Sequence, residues 1–132
     1  MARSYRELLV WQKAKTLAVH AYRFSEKFPR AETYGLTSQI RRAAVSVASN
    51  IAEGQGRLTR GEFVHFLGQA RGSLLELDTQ LEIALDLNYL NAEQQQEMAQ
   101  EAYQVLGLLN RLIESLRSKP AERSSAPEGV KR

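Results

Sequence analysis

Residues 38–57, S-Q-I-R-R-A-A-V-S-V-A-S-N-I-A-E-G-Q-G-R, concentrate the side chains in this chain that could do chemistry. Two arginines are adjacent, a Ser-Asn-Glu series follows, and two glycines fall within three residues. Glycines so spaced could cradle a phosphate on backbone N–H groups. A P-loop, however, needs G-x-x-x-x-G-K-[ST] between a strand and a helix, and the chain contains no Gly-Lys pair. A dinucleotide fingerprint would need a further glycine at position 59, which is Thr59. Gly54-Gln55-Gly56 is therefore expected to end a helix, where a residue free to adopt positive φ is favoured.

Glu62-x-x-His65 has the i, i+3 spacing of metal ligands in di-iron bundles, which need two such pairs and a glutamate from each remaining helix. The other histidine, His20, has Leu17 three residues before it, so the second pair is missing. His65 also lies about 160° around a helical wheel from the Phe63/Leu67 seam. No metal and no cofactor are expected. The serines near position 50 share no segment with a histidine, and no G-x-S-x-G elbow occurs. None of the 15 acids is paired within an inferable apolar pocket. No catalytic residue is assigned, and the chain is not expected to be an enzyme.

Ser46, Asn50 and Glu53, with Gln39 and Arg42, form a polar stripe at about 240–320° on a wheel with Leu36 at zero. The stripe borders the apolar face of its helix directly. Serine and asparagine compete with helix backbone unless their side chains find partners. A structural polar network of Gln39, Ser46, Asn50 and Glu53 that sets helix register, with Gln80 or Ser73 as partners, is the favoured role. Contact with a small ligand or nucleotide is the alternative. Arg41, Arg42, Arg57 and Arg60, with Lys13 and Lys15, could neutralise phosphates and release counterions. No aromatic platform or nucleic-acid module accompanies them in the sequence, so base-specific readout is not expected. Pairing of Arg42 with Glu53 or with acids of the third helix is the competing use.

Four helical patterns must position these side chains. In the first, Ser4 and Glu7 have capping-box spacing and Pro29 closes the segment; Val10, Ala14, Leu17, Ala21, Phe24 and Phe28 form its stripe. The second, about residues 36–53, buries Leu36, Ile40, Ala43, Val47 and Ile51. Thr59 and Glu62 cap the third, to about Leu87, with Phe63, Leu67, Ala70, Leu74, Leu77, Leu81 and Ala84 in line. Asn91 and Gln94 cap the fourth, with Met98, Ala102, Val105, Leu109, Leu112 and Leu116. Short linkers predict an all-α, antiparallel up-down-up-down four-helix bundle over residues 1–118. Residues 119–132, K-P-A-E-R-S-S-A-P-E-G-V-K-R, have almost nothing to bury and are expected to be a disordered tail.

The chain of 132 residues is one domain's worth. It has no cysteine, which suits a reducing compartment. The first residues lack the apolar core of a signal peptide, and no apolar run approaches the ~20 residues of a spanning helix. A soluble, cytoplasmic protein without membrane contact is expected. Charge is uneven: residues 1–30 hold seven Lys/Arg against two Glu, whereas residues 61–90 hold one against five acids. The basic half could meet a polyanion, the halves could attract each other inside one bundle or between copies, and solvated helix faces are the plain reading. Apolar positions spread over about 160° on helices 1 and 4, wider than the ~100° a single core needs. Val45, Ala48 and Ala52 add a small-residue face on helix 2. Self-association would bury that surplus.

L-V-W-Q-K-A at 9–14, Y-G-L-T-S-Q-I-R-R-A-A-V-S at 34–46, S-N-I-A-E-G at 49–54, F-L-G-Q-A-R-G-S-L at 66–74 and E-L-D-T-Q-L at 76–81 form a pattern. It resembles the bacterial four helix bundle protein family, also called the 23S ribosomal-RNA intervening-sequence protein family, over about residues 5–118. Ala48 stands where that family often has proline, so a straighter second helix is expected. The resemblance implies a homo-oligomer, with five-fold barrels among members and no established activity for most. It also implies kinship with the accessory variability protein of diversity-generating retroelements, a more basic pentamer associated with nucleic acid and reverse transcriptase. The combined expectation is a non-enzymatic homopentameric accessory protein binding RNA or DNA through its basic surface. The alternative is a scaffold holding a protein partner on the apolar or acidic faces of helices 3 and 4.

Overall fold

The computed structural model describes residues 4–118. The expected tail therefore lies outside the described residues. Four helices make up the fold: α1 Leu9–Ser25, α2 Leu36–Gln55, α3 Arg60–Asp86 and α4 Ala92–Ser118. Two short 3-10 turns, Tyr5–Glu7 and Arg30–Glu32, precede α1 and α2, and the described residues include no strand. Each helix packs on its neighbours in chain order, α1 closes against α4, and no diagonal pair meets. Cross-helix contacts run in opposite chain directions: Ser46 meets Ser73 where Gly54 meets Phe66, and Glu82 meets Gln95 where Arg71 meets Asn110. The result is an antiparallel four-helix bundle. No helix among the described residues is long and apolar enough to cross a membrane.

The expected seams meet in one core. Leu17, Ile51, Leu77 and Leu109, one from each helix, are fully buried, and each such side chain contributes ~1.5–3 kcal/mol by leaving water. Phe24, Phe63, Leu112 and Leu116 pack at the margin, half-buried.

Caps explain most helix boundaries. Thr59 Oγ1 accepts the Glu62 N–H at 3.1 Å. Asn91 and Gln94 satisfy each other's backbone N–H groups at 2.8 and 3.0 Å, a reciprocal capping box. The α3 end closes on Asn88 at φ 65°. There the Tyr89 N–H reaches Ala84 O and the Asn88 N–H reaches Leu85 O, both at 2.9 Å. That is a Schellman motif using asparagine in place of glycine.

Two expectations about helix ends are corrected. Ser4 caps the 3-10 turn, accepting from the Arg6 N–H at 3.1 Å, and extended Leu8 separates that turn from α1. The helix proper starts at Leu9 with no side-chain cap. The glycines after residue 53 do not supply positive φ either. Gly54 lies within α2, Gly56 follows it at φ −82°, and no described glycine has positive φ. Gly54 serves close approach instead. A Cβ there would stand 2.8 Å from Phe66 Cβ and 3.2 Å from the Phe63 carbonyl oxygen, so the α2–α3 seam has no room for a side chain.

Candidate nucleic-acid interface

The polar stripe of α2 forms only in part. Ser46 Oγ meets Ser73 Oγ at 2.9 Å across the α2–α3 seam. Asn50 Nδ2 donates back to Ser46 O at 2.9 Å and to Ser46 Oγ at 3.0 Å. This half-buried cluster brings Ser46 and Asn50 of α2 together with Ser73 of α3. Glu53 does not join it: its carboxylate accepts from Arg57 NH2 at 2.8 Å near the surface. Gln39 is exposed, and Gln80, buried on α3, points its amide nitrogen to Glu76 Oε2 at 3.5 Å. Gln80 Oε1 has no hydrogen-bond partner. Glu53 is drawn instead to Arg57, four residues on, and Gln39 stands in the first turn of α2 open to solvent.

The six candidate cations separate into two groups. Arg41 is held by its neighbours. Its Nε donates to buried Ser25 Oγ at 2.8 Å, NH2 donates to Tyr22 O at 3.2 Å, and the guanidinium stacks 4.6 Å from the Tyr22 ring. Arg42 beside it is exposed and donates to Ser38 Oγ at 3.2 Å. It pairs with neither Glu53 nor an acid of α3, because its side chain follows α2 one turn back toward Ser38. The second group stands beyond the far end of α2, whose last residue, Gln55, is about 21 Å from Arg41 at 1.5 Å per residue. There Arg57 stacks 4.6 Å from Phe66 while pairing with Glu53, and Arg60 opens α3. The first turns of α1 reach the same end of the bundle, carrying exposed Lys13 and Lys15, the latter 5.5 Å over Trp11.

A furrow runs along the outer α1–α2 face, bordered by Arg41 and Arg42 of the first group and, of the second, by Lys15. Its larger part, about 590 Å³, runs from Tyr5, Trp11 and Ala52 at that end past Val19 and Ala48 to Tyr22 and Val45. Its other part, about 560 Å³, is bordered by Tyr22, Tyr34, Ser38, Arg41 and Arg42, and both parts share Tyr22 and Val45. The sequence reading missed the aromatic component. Tyr34 lies in the α1–α2 connection and Tyr22 on α1, so neither is adjacent in sequence to Arg41 or Arg42, and packing brings all four together. The available signal was the single segment Y-G-L-T-S-Q-I-R-R, which places Tyr34 two residues ahead of the helix that carries both arginines.

Charge is segregated by helix. α1 carries Lys13, Lys15 and Arg23 with no acid, and α2 carries Arg41 and Arg42 against Glu53. α3 has five acids against two arginines, and α4 four against two.

The other chemistry-bearing side chains lie apart. Glu62 and His65 are both exposed, and His65 Nε2 is 3.2 Å from Gln69 Nε2. His20 sits on the α1–α4 seam, its Nδ1 2.7 and 2.8 Å from the two carboxylate oxygens of Glu101. Glu32 supplies the missing cap of α2: its Oε1 accepts the Leu36 N–H, and its Oε2 accepts the Tyr89 hydroxyl, both at 2.9 Å. The Leu36 bond first, and the Tyr89 bond second, hold the Glu32 carboxyl below the usual glutamate range. The same contact raises the Tyr89 hydroxyl. Gly35 makes room for this, since a Cβ there would stand 2.6 Å from Glu32 Oε1.

No curated protein matches the chain. Its fold is similar to that of a solved protein of unknown function from the S23 ribosomal protein family of Bacteroides thetaiotaomicron. The TM-score is 0.73 at 24% identity, covering 80% of this chain and 99% of that one. The family model of the 23S rRNA-intervening sequence protein matches residues 6–111, and the chain belongs to that family.

Proposed function

We propose that this chain is a non-enzymatic cytoplasmic accessory protein that assembles with copies of itself, as a pentamer, and binds nucleic acid across its basic α1–α2 face. The observation that carries the binding is the segregation of charge. Lys15 and Arg23 of α1 and Arg41 and Arg42 of α2 border one furrow that Glu26 also lines, while the acids concentrate on α3 and α4. A polyanion would gain on the first side and be repelled from the second. Self-assembly is supported by the apolar part of the furrow, where Val19 and Val45 remain exposed beside small Ala48 and Ala52.

The test is purification without nuclease, followed by light scattering and a 260/280 nm absorbance ratio. These report subunit count and bound nucleic acid together. Affinity should fall steeply with salt, with a log–log slope of about −0.7 to −0.9 for each phosphate neutralised. Arg42→Gln and Lys13→Gln should each flatten that slope by somewhat less than one unit. Absence of binding at low salt refutes the nucleic-acid role. Salt-insensitive capture of one protein by the α3–α4 face, where Leu75, Ile83 and Tyr103 are exposed, would favour a scaffold instead.

A further inference from the structure

Tyr34 is 96% exposed, in the turn immediately before α2. Its ring has no aromatic or cationic neighbour among the described residues, although a phenol ring of this size ordinarily finds cover. It borders the same 560 Å³ groove as Tyr22, Ser38, Arg41 and Arg42. That volume is within the ~300–1,000 Å³ of small-ligand clefts. The groove is also distinguished by charge. No carboxylate borders it, whereas Glu26 lines the adjoining part of the furrow, and Glu101 and Glu114 line grooves elsewhere on the bundle.

The cations here are prepared for different tasks. Arg41 is fixed in place by Ser25 Oγ and Tyr22 O, and two of its five N–H donors are used in doing so. Its Cζ lies over the Tyr22 ring, forming a cation–aromatic wall. Arg42 has a single bond, to Ser38, and can swing out to a phosphate. An exposed aromatic face beside one rigid and one mobile guanidinium is the combination that binds unpaired bases and their phosphates. A duplex keeps its base faces stacked on each other and cannot offer one to Tyr34.

We infer that this groove binds single-stranded nucleic acid, with an unpaired base stacked on Tyr34 and neighbouring phosphates on Arg42 and Arg41. The inference rests on the proposed nucleic-acid role and specifies the form of nucleic acid the site takes.

The experiment is fluorescence anisotropy at low salt with the full chain, using a labelled 12-nucleotide RNA and the 12-base-pair duplex of the same sequence. The single strand should bind at least tenfold more tightly. Tyr34→Ala should weaken single-strand binding about tenfold and leave duplex binding unchanged, whereas Tyr34→Phe should retain it. Arg42→Gln should reduce the salt slope. A second measurement needs no variant: a bromouracil-containing strand, irradiated on the native protein, should crosslink to Tyr34 or Tyr22. Equal affinity for strand and duplex, with Tyr34→Ala silent, overturns the inference and leaves the proposed function standing. A crosslink confined to the α3–α4 face also overturns it. Failure of both nucleic acids to bind at low salt overturns the proposed function as well.

Discussion

On its α3 side, helix α2 uses Gly54 and Ser46 to bring two backbones together; on its outer side, Ala48, Ser49 and Ala52 leave a furrow open. Both sides are built from small residues, and they end differently because of what faces them. α3 presses Phe63 and Phe66 onto Gly54 and Ser73 onto Ser46. On the outer side α1 only flanks the furrow, and Trp11, Val19 and Tyr22 form its rim rather than a lid. Small residues therefore permit close approach without causing it. A facing element of matching shape is needed to turn them into a contact.

The difference can be broken from either side. Gly54→Val should cost the most, about 2–3 kcal/mol, because its side chain must displace Phe66 Cβ and the Phe63 backbone. Urea denaturation measures this, and a neutral result would mean the seam is looser than described. Gly56→Ala is the matched control. Its backbone is helical and its nearest new contact would be 3.7 Å, so a gain of roughly 0.4–1 kcal/mol is expected.

A smaller effect concerns the start of α2, which Glu32 ties to Tyr89 beyond the end of α3. The folded carboxyl is held below its usual range, so its stabilisation is complete above that range and is lost as pH falls through the lowered value. The raised Tyr89 hydroxyl contributes below the ordinary tyrosine range and loses that contribution as pH rises through its raised value. Glu32→Gln should thus lower the melting temperature at neutral pH, with the gap to the parent closing in acid. A gap that stays constant through the acid range would show that the carboxylate charge is irrelevant to the cap. Smallest of all, Ala52→Leu should change stability by no more than about 0.5 kcal/mol, since its side chain enters the open furrow. A loss comparable to that of Gly54→Val would erase the distinction between the two sides. Light scattering on the same variant reads whether another copy occupies the furrow: a filled groove should weaken assembly while the fold persists.

Much of the fold was legible from local pattern. Leu36, Ile40, Ala43, Val47 and Ile51 repeat at helical spacing and are all buried, and Thr59 and Asn91 cap the helices they were expected to open. The S-x-x-E spacing at Ser4 misled because the turn it caps is a 3-10 turn, which extended Leu8 separates from α1. The glycines at 54 and 56 misled because a helix end and a tight helix crossing favour the same residue, and sequence does not distinguish them. In the polar stripe, Ser46 and Asn50 were legible and Gln39 and Glu53 were not. Which partner a boundary side chain takes depends on what the fold brings within its reach, and for Glu53 that is Arg57.

By itself, the sequence determined the four helices, their buried faces, two of their caps and the charge difference between the halves. Those properties depend on residues within a few positions of one another, where periodicity and hydrogen-bonding rules act. The tertiary structure alone decided that Gly54 is compressed while Ala52 is open, that Glu32 caps α2 through Tyr89, and that Tyr34, Tyr22, Arg41 and Arg42 share one groove. Those outcomes depend on the register between packed helices, which is set by the fit of whole surfaces rather than by any local motif.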